Sequence, residues 1–233
     1  MIFNILSGGG MAGTLIVTTT PEATVTCVLD SNASMQRSGT ASVSGEISFS
    51  LPLIGTWNIT VSKTGQTSKS KSVTFTAIGQ TISTFLVLDY PIYMNGTEYV
   101  TISQFAREGN IREYDDYLRL NANGSYTSSG NVWIYTPAID LSKYNKLYIE
   151  YSGHQSTSSS AMRSYASYFD SVNNSGPVSR TDITSLGFPS KGTKNYTLDV
   201  NGSHRIGIGV TNSTLTDTCY ILIYRLWLQG KNE

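Results

Sequence analysis

The sequence predicts an all-β protein made of two successive β-sandwiches. Short stretches in which apolar and polar residues alternate recur along the 233 residues, and this period of two is typical of half-buried strands. Gly, Ser, Thr and Asn separate these stretches, as expected for a chain with many turns, and Tyr is the commonest aromatic residue, with 15 copies. No amphipathic helical pattern of ten or more residues occurs.

The charge composition excludes one large class of partners. Lys and Arg together number 16, as do Asp and Glu, so the net charge is zero. Charged residues make up only 14% of the chain, against about 25% in typical domains. Since nucleic-acid binding needs clustered Lys and Arg to neutralise phosphates, we expect no nucleic-acid partner. No apolar run reaches the length of a membrane helix and the N-terminus lacks a signal-peptide pattern, so we also expect no membrane partner and no secretion.

Residues 1–13 are predicted to form a flexible N-terminal arm. A short apolar stretch precedes three consecutive glycines, which favour a joint rather than a regular element. Two interpretations remain open: a frayed terminus, or an anchor that docks on a partner subunit through its large apolar residues, Ile2, Phe3, Ile5 and Leu6.

Residues 14–88 are predicted to form the first sandwich, with six or seven short strands. The alternation is clear in TVTCVL and in GTWNITVS, and Gly45 marks a tight turn between two strands. The polar stretch SNASMQRSGT is predicted to be a loop. Asp89-Tyr90-Pro91 marks the boundary, because proline forces extended geometry on the residue before it.

Residues 89–233 are predicted to form the second sandwich, organised around the segment Val132–Ser152. Asn95-Gly96 predicts a hairpin, FAREGNIREYDDY a helical turn or loop, and the stretch from Ser171 to Gly192 a long polar loop. The stretch CYILIYRLWLQ is apolar on both faces, which predicts a central strand or an oligomer contact. Both cysteines, Cys27 and Cys219, lie within apolar strand patterns and are predicted to be buried free thiols.

Two parts of the chain resemble known modules. The first part resembles carboxypeptidase-regulatory-like or PEGA-type immunoglobulin-like modules, in its T-P-x-A-x-V opening, its G-x-x-x-F-x-L strand and its G-T-W-x-I-x-V-x-K-x-G hairpin. The matching residues are Thr20, Pro21, Ala23, Val25, Gly45, Phe49, Leu51, Gly55, Thr56, Trp57, Ile59, Val61, Lys63 and Gly65. This resemblance implies an immunoglobulin-like, non-catalytic spacer.

The second part is similar to jelly-roll β-sandwiches of the carbohydrate-binding-module type. The segments that show this are YLRL, IYTPAIDLSKYNKLYIEY and YTLDVNGSHRIGIGV, followed by an apolar last strand. Together with the immunoglobulin-like spacer and the glycine-rich start, the chain resembles structural proteins of tailed-bacteriophage particles. No functional residue is transferred by this resemblance.

Catalytic and metal-binding patterns are nearly absent from the sequence. His154 and His204 lie fifty residues apart with no zinc-type spacing, and no G-x-S-x-G elbow or phosphate-binding loop occurs. Asp115 and Asp116 are weak calcium candidates, although adjacent carboxylates on an extended chain point in opposite directions. We therefore predict no enzymatic activity, and no cofactor apart from this weak calcium possibility.

Trp133, Tyr135 and Tyr148 are the candidate glycan platform. If Val132 and Ile134 face the core, Trp133 and Tyr135 point the other way, as Tyr148 does opposite its apolar neighbours. Outward Trp and Tyr side chains can bind a sugar ring or another subunit. Three interpretations remain open: burial in the core or under a loop, a subunit interface, and a glycan platform.

The absence of catalytic patterns, together with the resemblance to structural proteins of tailed-bacteriophage particles, implies a non-enzymatic bacteriophage virion protein. We expect its N-terminal part to attach to other virion proteins, and its second sandwich to be displayed for weak binding of host-surface polysaccharide, as a homo-oligomer such as a trimer. The alternative is a capsid or tail decoration protein with a stabilising role and no ligand. A glycan depolymerase and a bacterial surface adhesin are further, less favoured alternatives.

Overall fold

The protein is all-β, as predicted. A computed structural model describes residues 12–123, 130–156, 161–213 and 218–233, and apart from one short 3₁₀ helix its regular elements are strands. Two compact units are present: the first contains the chain up to Asp89 together with Gly230–Glu233, and the second contains Tyr90–Gln229. Within the described ranges, no helix is long or apolar enough to span a bilayer.

The described part of the first unit contains seven strands in two sheets. A three-stranded sheet has the order β4-β1-β7 and a four-stranded sheet the order β3-β2-β5-β6. All the strand pairs are antiparallel except β1 with β7. The strands are β1 (Gly13–Thr18), β2 (Thr24–Leu29), β3 (Asn32–Thr40), β4 (Glu46–Leu51), β5 (Gly55–Ser62), β6 (Lys69–Phe75) and β7 (Gln80–Phe85).

Alternate residues of both sheets form one core, so the first unit is a β-sandwich. Leu15 and Val17 of β1 belong to the same buried cluster as Cys27 of β2 and Ile59 of β5. The largest member, Trp57, is fully buried and donates from Nε1 to the Leu53 carbonyl at 3.1 Å. The core is thus built from the alternating residues that the sequence indicated.

The chain end belongs to the first unit, whereas the sequence analysis assigned it to the second. Backbone hydrogen bonds pair it with β7 and the segment beyond: Phe85 N donates to Glu233 O at 2.8 Å, and Val87 N to Lys231 O at 2.9 Å. Lys69 Nζ also donates to the Gly230 carbonyl at 3.2 Å and to Asp89 Oδ1 at 2.7 Å. Backbone hydrogen bonds of this kind need no particular side chains. The sequence of Gly230–Glu233 therefore gave no sign that these four residues pair with the first unit.

One turn of this unit is confirmed and one loop is corrected. Gly45 has a φ of 78°, the left-handed conformation that glycine adopts at no steric cost. The stretch predicted to be a polar loop contains β3, which pairs with β2 from Thr24↔Thr40 onwards. Since β3 is a mostly exposed edge strand, it has almost no apolar alternation by which to recognise it.

The second unit contains the remaining strands in two main sheets. The six-stranded sheet has the order β10-β13-β21-β16-β19 with β14 beside β21, and the seven-stranded sheet has the order β11-β12-β22-β15-β20 with β8 and β9 beside β22. Its strands are β8 (Tyr90–Met94), β9 (Thr97–Glu98), β10 (Ser103–Arg107), β11 (Gly109–Glu113), β12 (Leu118–Asn123), β13 (Gly130–Tyr135), β14 (Ile139–Asp140), β15 (Tyr144–Gln155), β16 (Met162–Phe169), β17 (Ser171–Asn173), β18 (Gly176–Val178), β19 (Thr181–Ser185), β20 (Gly192–Thr197), β21 (Ser203–Asn212) and β22 (Thr218–Gly230).

The core of the second unit lies between these two sheets. Val132 and Ile134 of β13 are in register with Val210 and Ile208 of β21, and all four are buried. From the opposite sheet come the buried apolar residues Leu118, Leu120, Leu147, Ile149, Ile221 and Ile223. Hydrogen bonds cross between the sheets, for example from Asn212 Nδ2 to the Ala122 carbonyl at 3.5 Å. The apolar segment CYILIYRLWLQ is β22, a central strand, as predicted.

Three local predictions for this unit were tested. The Asn95-Gly96 hairpin is confirmed: both residues have positive φ, 46° and 86°, and they connect β8 to β9. The stretch predicted to be a helical turn or loop instead contains β11, which pairs with β12. The predicted long loop between Ser171 and Gly192 contains the small hairpin β17–β18 and the edge strand β19. These strands are short, so they show too few alternations to be distinguished from loops.

Candidate functional site

The predicted platform residues lie on two different sheets. Trp133 and Tyr135 point outward from the six-stranded sheet, because Val132 and Ile134 of the same strand face the core. Tyr148 points outward from the seven-stranded sheet, opposite Leu147 and Ile149. The structure therefore confirms the direction of each side chain but does not bring the three together into one site.

The outer surface of the six-stranded sheet is called here the covered face. It contains Trp133, Tyr135, Tyr165 and Phe169, from strands β13 and β16. Phe169 makes edge contacts with both Trp133 and Tyr135, at ring-centroid distances of 6.2 and 5.8 Å. Trp133 is 0% exposed and donates from Nε1 to Asn131 Oδ1 at 2.6 Å.

Residues 175–180 lie over this face. The Arg180 guanidinium lies over two rings, with its Cζ 5.3 Å from the centroid of Trp133 and 4.9 Å from that of Tyr165. Asn131 Nδ2 donates to the Ser175 carbonyl at 3.4 Å, and an ion pair of 3.0 Å joins Arg180 to Asp182. These contacts hold the segment against the aromatic rings.

Two glycines of β21 make room for the rings. A Cβ atom on Gly209 would lie 2.3–2.4 Å from three atoms of the Trp133 indole, and one on Gly207 would lie 2.6 Å from Phe169. Both distances are shorter than van der Waals contact allows. The glycines of the G-I-G pattern in this strand thus serve the packing of aromatic rings.

Trp133 is consequently not an exposed stacking surface, and this corrects its assignment to a glycan platform. Its burial agrees with the loop-covered interpretation that the sequence left open. Tyr135 is half-buried, with the Arg205 guanidinium 5.8 Å from its ring centroid. Trp133 is therefore not available to a ligand on this side of the unit, whereas Tyr135 is partly exposed.

The outer surface of the seven-stranded sheet is called here the aromatic face. Its central strands β15 and β22 direct Tyr148, Tyr220, Tyr224 and Trp227 outward, and each of these rings is partly exposed. Tyr148 and Trp227 stack with a centroid distance of 4.9 Å and an interplanar angle of 12°. This parallel contact fixes both rings, so they lose little conformational freedom when a ligand binds.

Further rings extend the aromatic face beside Tyr224. The Tyr117 ring contacts Tyr224 edge-on at 5.7 Å and stacks on Tyr114 at 4.6 Å. Lys191 Nζ lies 3.8 Å from the centroid of the Tyr224 ring, within cation–π range. Tyr114 is itself an exposed large side chain. The aromatic surface therefore continues from the central strands to the turn between β11 and β12.

Polar groups alternate with these rings. Glu150 lies between two cations, Lys191 and Arg225, with an N–O distance of 3.4 Å to each. The Tyr220 ring has His154 stacked on it at 5.2 Å, and the Arg119 guanidinium lies 4.2 Å from its centroid. The face thus offers apolar ring surface and hydrogen-bonding groups side by side.

A polar cavity of about 130 Å³ opens at the β11–β12 side of this face. It is lined by Asn110, Arg112, Arg119 and Asn121. Cross-strand register places them on one surface, since Asn110 pairs with Asn121 and Arg112 with Arg119. Asn121 is also in register with Tyr220 of β22, so the cavity is continuous with the aromatic face.

Sequence reasoning missed the cavity and the stacking partner Trp227 as site residues. The cavity had a detectable signal: N-I-R and R-L-N both alternate polar with apolar residues around the Y-D-D-Y turn, as in a hairpin with one polar face. The pairing of Tyr148 with Trp227 had none, because the two residues are 79 positions apart and meet only through the order of strands.

The other predicted site residues are accounted for as follows. Asp115 and Asp116 lie in the turn between β11 and β12, and among the described residues no group of three or more Asp, Glu, His or Cys side chains is placed to hold a metal ion. His204 pairs with Asp170 at 3.0 Å. The anchoring-arm residues Ile2, Phe3, Ile5 and Leu6 lie outside the described residues.

Both thiols are buried and free, as predicted. Desolvation by burial raises the pKa of Cys27 to about 12 and that of Cys219 to about 12. At neutral pH both therefore remain protonated, and neither is a reactive nucleophile.

Comparisons with known proteins found similarity only among solved structures. No family model matches the chain, and no curated protein matches it. One variant of a family 29 carbohydrate-binding module is 12% identical, with 60% of this chain and 91% of that chain covered and a TM-score of 0.42.

Two further structures show a comparable degree of similarity. Another family 29 carbohydrate-binding module is 12% identical, covering 60% and 86% of the two chains, with a TM-score of 0.41. A carbohydrate-binding module of the β-sandwich superfamily, described as having promiscuous specificity, is 14% identical over 89% and 85%, with a TM-score of 0.39. At these scores and identities, only the chain's own residues can support a functional conclusion.

Proposed function

We propose that the protein is a non-enzymatic glycan-binding protein, and that the polysaccharide lies along the aromatic face of the second unit. The observation that supports this is the alternation of partly exposed rings with polar groups on one sheet surface. The parallel pair Tyr148–Trp227 and the cluster around Tyr224 provide the apolar part, and Glu150, Ser152 and His154 the polar part.

A sugar presents the same two kinds of surface as this face. The C–H groups of a pyranose ring pack against an aromatic ring, while its hydroxyl groups donate and accept hydrogen bonds at the ring's edge. Ordered contacts of this type contribute modestly: a site with a Kd of about 1 mM corresponds to only about −4 kcal/mol. Display in several copies raises the effective affinity of such weak sites by roughly 10²–10⁴.

The test is binding of the full chain, multimerised on a scaffold, to a panel of polysaccharides and cell-wall preparations. Trp227→Ala removes one ring of the stacked pair, and we expect it to weaken binding about tenfold, which corresponds to about 1.4 kcal/mol. Tyr148→Ala should give a similar loss, because each ring supports the other.

Tyr135→Ala is the matched control, since it removes a half-buried ring from the covered face of the same unit. It should leave glycan binding unchanged, provided that circular dichroism shows an intact fold. Binding that disappears with Tyr135→Ala and survives Trp227→Ala would place the site on the covered face instead. If the multimerised chain retains no polysaccharide at all, the proposed glycan-binding function is wrong.

We also propose the finer role predicted from the sequence: attachment to other virion proteins through the first unit, as part of a bacteriophage particle. A specific observation favours a protein contact there. Leu53, Ile54 and Ile78 are exposed apolar residues, and the turns that contain them lie at one end of the sandwich. Gly13 of β1 pairs with Leu51 on one side and Gln80 on the other, which brings both turns next to the start of β1.

The same contact supports the alternative role of a decoration protein with no ligand. Ile54→Ser combined with Ile78→Ser should shift the chain from an oligomer towards a monomer, as measured by analytical ultracentrifugation. Val43→Ser is the matched control: Val43 is more exposed than either isoleucine, but it lies near Gly45, whose carbonyl accepts a hydrogen bond from Thr19 N at the opposite end of β1. An unchanged mass for the double variant would exclude this surface as the contact.

A further inference from the structure

Two residues that line the polar cavity beside the aromatic face each have a buried polar atom without a hydrogen-bond partner. Arg119 Nε and Asn121 Oδ1 are both inaccessible to solvent, and neither is satisfied within the described part of the chain. Buried polar groups are normally paired, so two orphans side by side need an explanation. One of these atoms is a donor and the other an acceptor.

Neighbouring contacts fix both side chains in place. The Arg119 guanidinium lies against the Tyr220 ring at 4.2 Å, and Asn121 Nδ2 donates to Asn123 Oδ1 at 3.1 Å. The second bond occupies the amide nitrogen and leaves the amide oxygen directed elsewhere. The unpaired donor and acceptor are thus held by contacts that do not use them.

The charge of the cavity is also uncompensated. Within the described ranges, Arg112 and Arg119 form no ion pair with a carboxylate, whereas Lys191 and Arg225 both pair with Glu150, and Arg180 pairs with Asp182. Two cross-strand arginines next to two asparagines therefore give a site with a charge of +2 and no internal acid. Arginine presents a fixed fork of donors that matches a planar or tetrahedral anion.

From these three observations we propose that the cavity binds the anionic substituent of an acidic sugar, so that the ligand of the aromatic face is an acidic polysaccharide. The anion, a carboxylate or a sulfate ester, accepts hydrogen bonds from the guanidinium groups of Arg112 and Arg119, which line the cavity. A neighbouring hydroxyl of the same sugar hydrogen-bonds to the Asn110 side chain in the same lining. The sugar ring itself rests outside the cavity, beside Tyr220. This inference rests on the proposed glycan-binding function and narrows its substrate class.

The size of the cavity agrees with this assignment. Its volume of about 130 Å³ exceeds the roughly 30 Å³ that one water molecule occupies in the liquid. An anionic group and one adjacent hydroxyl need a space of that order, whereas a polymer chain needs the open surface beside it. The rings at Tyr220 and Tyr224 provide that surface.

The test compares three polymers on the full multimerised chain: polygalacturonate, dextran sulfate and neutral dextran. We expect at least one acidic polymer to bind about tenfold more tightly than dextran in about 50 mM salt, and to weaken as salt is added, since ionic contacts are screened. Polygalacturonate binding in preference to dextran sulfate would identify the anion as a carboxylate, and the reverse order as a sulfate ester.

Arg119→Gln is the decisive variant, with Asn121→Asp as a second one that places a negative charge in the cavity. Each should reduce binding of the acidic polymer about tenfold and reduce the affinity for dextran by a much smaller factor. Arg225→Gln is the matched control: it removes a cation from the same face, but one already paired with Glu150, and it should have a much smaller effect.

The possible outcomes separate the two proposals. Equal binding of acidic and neutral polymers, abolished by Trp227→Ala and unaffected by Arg119→Gln, would retain the glycan-binding function and overturn the acidic cavity. Binding of none of the polymers, together with a negative result on the wider glycan panel, would overturn both.

Discussion

The two outer faces of the second unit carry similar residues in opposite circumstances. Each face has a central Trp in contact with another ring: Trp133 meets Phe169 across the intervening strand β21, and Trp227 meets Tyr148 of the adjacent strand β15. A cation lies over a ring on each face, Arg180 in the first case and Lys191 in the second. Yet Trp133 is fully buried, while Trp227 is partly exposed.

The neighbouring strand accounts for this difference. On the covered face, β21 places Gly209 opposite Trp133, so the indole lies flat on backbone, and residues 175–180 then cover it. On the aromatic face, the adjacent strand β15 places Tyr148 beside Trp227 in place of a glycine, so the two rings stack on one another instead of lying flat on backbone. The side chains next to an aromatic ring in a sheet thus decide whether the ring is buried, and serves packing, or stays exposed, and can contact a ligand.

The largest expected difference between the two faces is in the free energy of unfolding that is lost when Trp133 or Trp227 is replaced. Trp133→Ala should lower the free energy of unfolding by roughly 3–5 kcal/mol, because it leaves a large buried cavity. Trp227→Ala should cost only about 1 kcal/mol, the order of one partly exposed aromatic contact. Guanidinium denaturation followed by far-UV circular dichroism measures both.

Polysaccharide affinity should change in the opposite order to stability in the same two variants. Under conditions where Trp133→Ala remains folded, this variant should bind polysaccharide with the affinity of the wild type. Trp227→Ala should bind it about tenfold more weakly. Equal destabilisation by the two substitutions would show that both faces are structural, and the assignment of the aromatic face would then be wrong.

The sequence was sufficient for the strands with clear apolar alternation and for the direction of their side chains, but not for the short or exposed strands such as β3 and β11. The alternation of Val132, Trp133, Ile134 and Tyr135 separates the inward from the outward set, and both sets lie where that pattern places them. Asn95-Gly96 fixed a hairpin because its two positive φ angles are rare in other residues. Local signals of this kind depend only on residues close together in the chain.

What covers a face could not be predicted in the same way. The segment over Trp133 begins about 40 residues further along the chain, in a stretch that is polar and looked like a loop. The contact depends on the strand order of the sheet, which the alternation does not specify. Gly207 and Gly209 were the accessible clue, because glycines at alternate positions of a strand leave one face without side chains.

The orphan polar atoms of the cavity form a second class of feature beyond sequence reasoning. Asn110, Arg112, Arg119 and Asn121 are ordinary surface residues for an edge hairpin. Their significance comes from the register of β11 with β12, which makes them neighbours, and from the absence of an acidic partner among the described residues. The alternation of N-I-R and R-L-N indicates the hairpin, but the absence of an acidic partner becomes visible only when the strands are paired.

The smaller test of the comparison uses glycine alone. Gly209→Ala adds one methyl group at a position where it would lie 2.3–2.4 Å from the Trp133 indole, so the ring must shift. We expect a loss of about 1–3 kcal/mol in the free energy of unfolding, as for other overpacked sites. The displacement should also raise the access of a soluble quencher to Trp133, measured by fluorescence in a background where the other two Trp are replaced by Phe.

Gly192→Ala is the matched control on the opposite sheet. Gly192 lies in β20, a Cβ atom there would meet no other atom within 4 Å, and its φ is not left-handed, so alanine should be tolerated. Because alanine reduces the freedom of the unfolded chain, this variant should be neutral or more stable by up to about 1 kcal/mol. If the two variants instead change stability by the same amount, the glycines of β21 are not what allows Trp133 to be buried. The burial of Trp133 would then be due to the covering residues 175–180 alone, because their contacts with the covered face do not involve the glycine.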